Sequence, residues 1–430
     1  MRHSFLNKIL ITGCFCALFA CAQAKPLINS PPGQTKRVWK TGETPSATFS
    51  VTENGAPLKS GKVFLQVDLD GGRTIHTGEI ELNEKNQGTI TVTGHTLKEP
   101  GFLRMSLSMK ENGKTTASRL ISFAFEPEKI LPAEPCPADF RTWWKNQLQE
   151  AEKLPLDPKL EKLPAFSSQT STAYKISFAA PGGRVWGFLT IPAGPGPFPA
   201  LIKIPGAGPG EDRPLPEKPG VIQMLLNVHD FDPLQPDRSI MESYKAAEKA
   251  HGRGYHYVGK DDRNTFFFRR VILGFSRAVD YLAKRSDVRK NGIGVYGFSQ
   301  GGAMTLILAG INPNVSFAVA NMPAMCDLFG MDKGRGSGWP YTLIAYKRTP
   351  GTEMTARYYD AANFAAGIRI PVVVVAGGID DTSRPTGVYA AFNSIPSKEK
   401  TIFLLPDSRH SEGKVYHDAV RKMETELKKR

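Results

Sequence analysis

The chain has 430 residues, is 40% hydrophobic and 22% charged, and carries a formal net charge of +14. That length accommodates two domains, or one large domain with a smaller companion, at an ordinary globular composition. Internally there is no run of about eighteen apolar residues, which argues against a helical membrane span. The basic residues are dispersed and match no nucleic-acid-binding module, so the charge reads as solvated surface.

The first 24 residues read as a signal peptide. Arg2 and Lys8 form a basic start, residues 9–20 are apolar but too short to span a bilayer, and Ala22-Gln23-Ala24 offers small residues for cleavage before Lys25. Cleavage there removes two positive charges and leaves +12 on an exported protein, periplasmic or secreted. Leu18-Phe19-Ala20-Cys21 also resembles a bacterial lipobox, in which Cys21 would carry a lipid anchor, but cleavage before Lys25 is the preferred reading. Outside this segment only Cys136 and Cys326 remain. They read as two inert buried thiols, and no metal-ligand spacing is present.

Residues 25–127 predict an all-β sandwich of immunoglobulin type. Strand patterns at residues 47–52, 62–69, 88–94, 103–110 and 119–125 are separated by turn chemistry such as Glu53-Asn54-Gly55 and Asp70-Gly71-Gly72. Pro127, Pro132, Pro135 and Pro137 then read as a stiff linker. From residue 128 onwards the pattern changes. An amphipathic helix is expected over 139–154 and a hairpin at 174–179 and 185–191, followed by apolar strands at 200–204, 221–228, 292–296, 317–321, 371–376 and 401–405. Long helices are expected over 265–285 and 416–429. Short apolar runs alternating with helices predict an α/β domain, residues 128–430, with a mostly parallel sheet covered on both faces.

Within that domain, Gly297-Phe298-Ser299-Gln300-Gly301 lies between the strand at 292–296 and a helical run beginning at Gly302. Strand, sharp turn and helix in that order form the nucleophile elbow of α/β-hydrolases. Ser299 is the candidate nucleophile, and the N–H of Gln300 is a candidate oxyanion donor at the positive end of the helix. A serine hydroxyl needs a base, and in this fold the chain order is Ser, acid, His. Only His410 and His417 follow Ser299. His417 falls inside the terminal helix and reads as surface, whereas His410 follows the strand at 401–405 and is the candidate base. The acid belongs after the strand at 371–376, where Asp380 and Asp381 both qualify by spacing. The loop after the strand at 200–204, Pro205-Gly206-Ala207-Gly208, supplies a second oxyanion donor, with Ala207 the candidate. Trp339 is a candidate sugar-stacking platform, equally readable as a packing residue.

These segments resemble the acetyl xylan esterase and cephalosporin C deacetylase family, carbohydrate esterase family 7. The resemblance rests on Pro137-Ala138-Asp139-Phe140 with the tryptophans that follow, Leu154-Pro155-Leu156-Asp157-Pro158, Phe266-Phe267-Phe268-Arg269-Arg270, Arg277-Ala278-Val279-Asp280, the Ser299-Gln300-Gly301-Gly302 form of the elbow, and residues 323–327. The family's acid loop is similar to Gly378-Ile379-Asp380, and that register selects Asp380. The resemblance implies a serine esterase without a cofactor that removes acetyl groups from carbohydrates. This chain departs from the family where Asn227-Val228-His229-Asp230 replaces an Arg-Gly-Gln motif. It also has Pro205-Gly206-Ala207 in place of a His-Gly-Tyr turn, Ser411 in place of a glutamate after the histidine, and an added N-terminal β domain.

The reading is therefore an exported serine esterase acting on an acylated carbohydrate, with Ser299, His410 and Asp380 as the catalytic set. Two alternatives stand beside it: another α/β-hydrolase, such as a peptidase or larger-acyl esterase, and a non-catalytic carbohydrate-binding protein on a hydrolase scaffold. The sequence leaves the oligomeric state open.

Overall fold

The computed structural model describes residues 25–30, 36–93, 95–252, 254–340 and 348–429. The leader expected at residues 1–24, with Cys21, lies outside the described residues.

From Leu27 to Phe125 the described chain contains only β elements. Strands β1 (Leu27–Asn29), β3 (Ser46–Glu53), β4 (Ala56–Pro57) and β7 (Thr89–Thr93) form one sheet. Strands β2 (Val38–Trp39), β5 (Gly61–Leu69), β6 (Thr74–Leu82), β8 (Gly101–Glu111) and β9 (Lys114–Phe125) form a second, in the order β2-β9-β8-β5-β6. Alternation builds the core between them: Ala47, Phe49 and Val51 point inward from β3 while Thr48, Ser50 and Thr52 do not. They meet Val63, Leu65 and Val67 of β5 and Ile121 and Phe123 of β9 in one apolar cluster. Strand β6 had no counterpart in the sequence reading. It is an edge strand, and Leu82 is its only buried residue.

The prolines after Phe125 do not make a free linker. Asn393 Nδ2 donates to the carbonyls of Pro127 (2.8 Å) and Ile130 (2.9 Å), and the Ala133 N–H donates to Asp327 Oδ1 at 2.6 Å. Ile130 is buried. Cys136 is exposed, contrary to the expectation of two buried thiols, and lies in the irregular stretch between Lys129 and Phe140; Cys326 is buried, and both are free thiols.

The second unit is a nine-stranded sheet. It comprises β10 (Lys159–Lys162), β11 (Ser171–Ala180), β12 (Gly183–Pro192), β13 (Phe198–Ile204), β14 (Ile222–Asn227), β15 (Val288–Phe298), β16 (Phe317–Asn321), β17 (Val372–Gly377) and β18 (Lys400–Leu405). Their order is β10-β11-β12-β14-β13-β15-β16-β17-β18. The pairings are antiparallel as far as β14 and parallel from β14 to β18. Successive residues of the parallel strands serve opposite faces. Ile202, Val295 and Val374 join a large core with the helices Phe267–Ala283 and Gln300–Ile311. Leu201, Tyr296 and Val373 meet Tyr416, Val420 and Met423 of the terminal helix Lys414–Lys429 on the other face. Near-continuous apolar strands are the sequence signature of such double burial.

The residues that carried the family resemblance hold this scaffold together. Trp144, in the helix Phe140–Glu152, is 1% exposed and donates its indole N–H to the Tyr358 carbonyl at 2.9 Å. Arg270 is buried and donates to the carbonyls of Arg184 and Val228. Arg277 reaches the Ala151 and Leu154 carbonyls at the end of the Phe140–Glu152 helix. The two units share packing as well: Phe102 of β8 and Ala124 of β9 belong to the large core, and the Phe102 ring lies 5.5 Å from that of Tyr389.

Truncation of Trp144 to Ala leaves a cavity that this rigid core cannot close. The expected loss is about 3–5 kcal/mol of stability, read as a lower urea midpoint than wild type. A midpoint unchanged by Trp144→Ala would contradict the packing described.

Candidate active site

β15 ends at Phe298, and the helix Gln300–Ile311 begins immediately after it. Ser299 alone makes the turn, at φ 58° and ψ −120°. A non-glycine residue at positive φ is strained, and strain of this kind needs surrounding structure to hold it. Here the Ser299 N–H donates to the Asn321 carbonyl, and the Ser299 carbonyl accepts from the N–H groups of Ala303 and Ala324, each at 3.0 Å. Helix and strand also approach too closely for side chains. A Cβ on Gly301 would lie 1.9 Å from the Ile204 carbonyl oxygen, and one on Gly297 would lie 2.4 Å from the Gly301 backbone. Both glycines are thus required by close approach, which is the physical content of the Gly-x-Ser-x-Gly pattern.

The other groups arrive from the same end of the sheet, after the C-terminal ends of β13, β17 and β18, where α/β proteins place their sites. His410 Nε2 lies 2.8 Å from Ser299 Oγ, and His410 Nδ1 lies 2.7 Å from Asp380 Oδ2. Asp380 is fully buried, and its Oδ1 accepts the N–H groups of Thr382 (2.7 Å) and Ser383 (2.9 Å). The His410 ring packs against Phe298 at 4.5 Å. Asp381, equivalent to Asp380 by spacing, turns the opposite way and pairs with Arg104, Arg384 and Arg409. Two other acids that follow Ser299 are engaged elsewhere: Asp327 pairs with Arg335, and Asp360 accepts the N–H groups of Asp327, Leu328 and Ala362. His417 is exposed on the terminal helix, as expected.

Gln300 heads its helix, so its N–H is among those without an intrahelical acceptor. The loop after β13 runs beside the serine: a Cβ on Gly206 would meet Phe298 and Ser299 Cβ at 3.7 Å. Ala207 follows on that loop with its side chain exposed. Trp339 is half-buried; its ring lies 5.2 Å from His256 and 6.2 Å from Tyr255, and its backbone N–H donates to the Thr382 carbonyl in the acid loop.

Several residues near the site were not singled out by sequence reasoning. Tyr255 Oη donates to Gln300 Oε1, and burial pushes the phenol up, so it stays a donor. His229 is buried, and desolvation lowers it to about 4. The neutral ring sets Nε2 2.8 Å from the Gly208 carbonyl and packs at 4.8 Å against Tyr255. Asn227 makes a paired contact with Glu211, accepting its N–H and donating to its carbonyl at 2.9 Å each. The stretch Asn227–His229, which stands where the family carries Arg-Gly-Gln, thus braces the loop beside Ser299. Asn321 Nδ2 donates to the Ser411 carbonyl, linking the end of β16 to the residue after His410. That Asn227, His229 and Asn321 lie at strand ends or just beyond was the available signal; Tyr255, in a short turn between two helices, carried none. Their partners are largely backbone atoms of distant loops, which a sequence does not name.

Among the described residues no group of three or more His, Cys, Asp or Glu side chains is arranged to hold a metal ion. The chemistry available is that of a hydroxyl, an imidazole and a buried carboxylate in line, next to backbone donors.

Comparison with known proteins gives this geometry a family. The family model for acetyl xylan esterase (AXE1) matches residues 126–427. The acetyl esterase Axe7A of Xylanibacter ruminicola is 30% identical over 386 residues, covering 88% of this chain and 85% of that protein. That span is too long to be confined to the second unit. Acetyl xylan esterase 1 from a Thermoanaerobacterium species superposes with a TM-score of 0.59 at 23% identity, covering 70% of this chain and 98% of that one. Acetyl xylan esterase from a Paenibacillus species gives 0.57 at 22% identity, with the same coverage. These two likenesses concern the fold, an α/β-hydrolase. By family match and by relative, the chain belongs to the acetyl xylan esterase family and is a carboxylic ester hydrolase.

Proposed function

We propose that the protein is an exported serine esterase that removes acetyl groups from carbohydrates through an acyl-enzyme. The observation that carries this reading is the line of contacts from Asp380 through His410 to Ser299 on a strained elbow. Asp380, with Nδ1 of the imidazole as donor, holds the tautomer whose Nε2 is free to accept the Ser299 proton. As Oγ attacks the acetyl carbonyl carbon, that proton passes to Nε2, and negative charge develops on the carbonyl oxygen. Donors placed where that charge appears are worth most in a site closed to water. The Gln300 N–H and an N–H of the Pro205–Gly208 loop, with Ala207 the candidate, serve as those donors.

Collapse of the tetrahedral species breaks the ester bond, and the sugar oxygen leaves with the proton from His410. Water, deprotonated by the same imidazole, then attacks the acetyl-Ser299 carbonyl and releases acetate. Each proton borrowed is returned, so the cycle needs no metal or cofactor. Tyr255 orients the Gln300 side chain, and His229 with Asn227 holds the loop that faces it. Trp339, half-buried beside His256, is the candidate platform for a sugar ring. Support for a carbohydrate substrate is membership of the acetyl xylan esterase family, and support for the acetyl group is the likeness to an acetyl esterase.

Export is inferred from the basic start, short apolar run and Ala22-Gln23-Ala24 site of residues 1–24, with cleavage before Lys25. The remaining chain is read as an immunoglobulin-like domain over residues 25–127 and a catalytic domain over residues 128–430.

Two measurements test the chemistry. With p-nitrophenyl acetate, Ser299→Ala is expected to lower kcat by about 10³-fold or more, and wild type is expected to release acetate from acetylated xylooligosaccharides faster than it cleaves longer-chain esters. A variant with wild-type turnover, or a preference for long acyl chains, would overturn the proposal. Tyr255→Phe keeps the ring but removes the donor to Gln300. Loss of one such hydrogen bond, about 1–1.5 kcal/mol, is expected to lower kcat about tenfold with little change in KM. No change in kcat would show that the Gln300 side chain needs no such anchor.

A further inference from the structure

The loops that carry the acid and the base are not held by the α/β unit alone. Asp380 and Asp381 are neighbours with opposite tasks. While Asp380 faces His410, Asp381 Oδ1 pairs with Arg104 at 2.7 Å and with Arg384 at 2.9 Å. Arg104 projects from β8 of the N-terminal unit, and its side chain is 6% exposed. Asp381 Oδ2 lies 3.3 Å from Arg409, the residue before His410.

Three further contacts come from the same sheet. Asp70, just past β5, is fully buried, and its Oδ2 accepts the Thr386 N–H at 3.0 Å. Thr386 lies in the first turn of the helix Pro385–Asn393, which begins where the acid loop ends. A carboxyl group there satisfies a donor that the helix cannot. The base loop is gripped too. Arg37, next to β2, holds Asp407 at 2.9 and 3.1 Å, and Ser122 Oγ of β9 lies 3.4 Å from the Pro406 carbonyl.

The turn that joins β5 to β6 is shaped around these guanidinium groups. A Cβ on Gly71 would lie 2.1 Å from Arg384 Nη1 and 2.4 Å from Arg104 Nη1. Gly71 also has φ +73°, a backbone conformation suited to glycine. Side-chain truncation, buried charge and turn conformation therefore converge on one spot behind the acid loop. Since Asp381 is 52% exposed, the ion pair adds little as a surface attraction, and its consequence lies in where it puts the loop.

We infer that the N-terminal β unit is part of the catalytic apparatus, with Arg104 and Asp70 as positioning residues that set the Asp380 loop against His410. This rests on the reading of Ser299, His410 and Asp380 as the catalytic set. Neither residue touches the substrate. They act by fixing the carboxylate that orients the imidazole, and a misplacement of about 1 Å in such a group costs up to about 10²-fold in rate.

The test compares Arg104→Met, Arg104→Lys, Asp381→Asn and the Arg104→Met/Asp381→Asn double variant in the full chain. Activity on p-nitrophenyl acetate is read beside thermal unfolding, with Ser299→Ala in parallel. The expected result is a fall in kcat of about 10- to 100-fold for Arg104→Met, with KM within twofold of wild type and partial recovery in Arg104→Lys. The double variant is expected to be no worse than the poorer single, because both changes break one contact. Should Arg104→Met fail to fold, Asp381→Asn carries the test from the other side of the pair. Wild-type kcat in folded Arg104→Met or Asp381→Asn, while Ser299→Ala is inactive, would overturn this inference and leave the catalytic reading intact. An active Ser299→Ala would overturn both.

Discussion

One residue, Ser299, must occupy a backbone conformation that side chains avoid, and the protein is arranged around keeping it there. A strand that runs straight into a helix leaves no room for a relaxed turn, so φ 58° and ψ −120° fall on the serine itself. The strain of such a conformation is of order 1–3 kcal/mol, and it is offset by two glycines without side chains, by backbone bonds from Asn321 and Ala324, and by a core on both faces of the sheet. What results is a hydroxyl lifted off the end of β15, in reach of groups delivered by β17 and β18.

A second constraint follows from the first. A rigid serine is useful only if the imidazole and the carboxylate are equally well placed, and these arrive on loops. The protein treats the two loops differently from the elbow. Instead of local strain it uses contacts across a seam, from Arg104, Asp70, Arg37 and Ser122 to residues 381, 386, 406 and 407. The docked proline segment, with Asn393 holding the carbonyls of Pro127 and Ile130, keeps that seam closed. On the opposite side of the serine, Tyr255, His229 and Asn227 fix the loop after β13. The acid and base loops are thus held from the N-terminal sheets, and the loop after β13 by the α/β unit's own polar network.

Much of this could be read in the sequence, and the reasons differ from part to part. The parallel strands were legible because double burial makes them continuous apolar runs, and the elbow because close approach requires glycine at fixed spacing. His410 was legible by elimination and chain order. Other features carried no such mark. Strand β6 buries only Leu82, with Ile75 and Ile80 partly covered, and β10 (Lys159–Lys162) buries nothing, so their apolar signal is sparse or absent. Asp380 and Asp381 are adjacent on one loop, and spacing could not say which faced the histidine; the resemblance to a family chose, and the geometry puts Asp380 there. The Arg104–Asp381 and Asp70–Thr386 contacts join positions hundreds of residues apart, which local pattern cannot connect. Cys136 was read as buried because cysteines usually are, but it is exposed in a stretch that belongs to no helix or strand.

The central claim is that Ser299 carries the acyl group between substrate and water. Acid-quenching the enzyme during turnover of p-nitrophenyl acetate, followed by peptide mapping by mass spectrometry, measures this directly. The account predicts an acetyl adduct on the peptide that contains Ser299, formed in the first turnover and lost as acetate is released. Sustained turnover with no adduct on that peptide, or with the adduct on another residue, would contradict it.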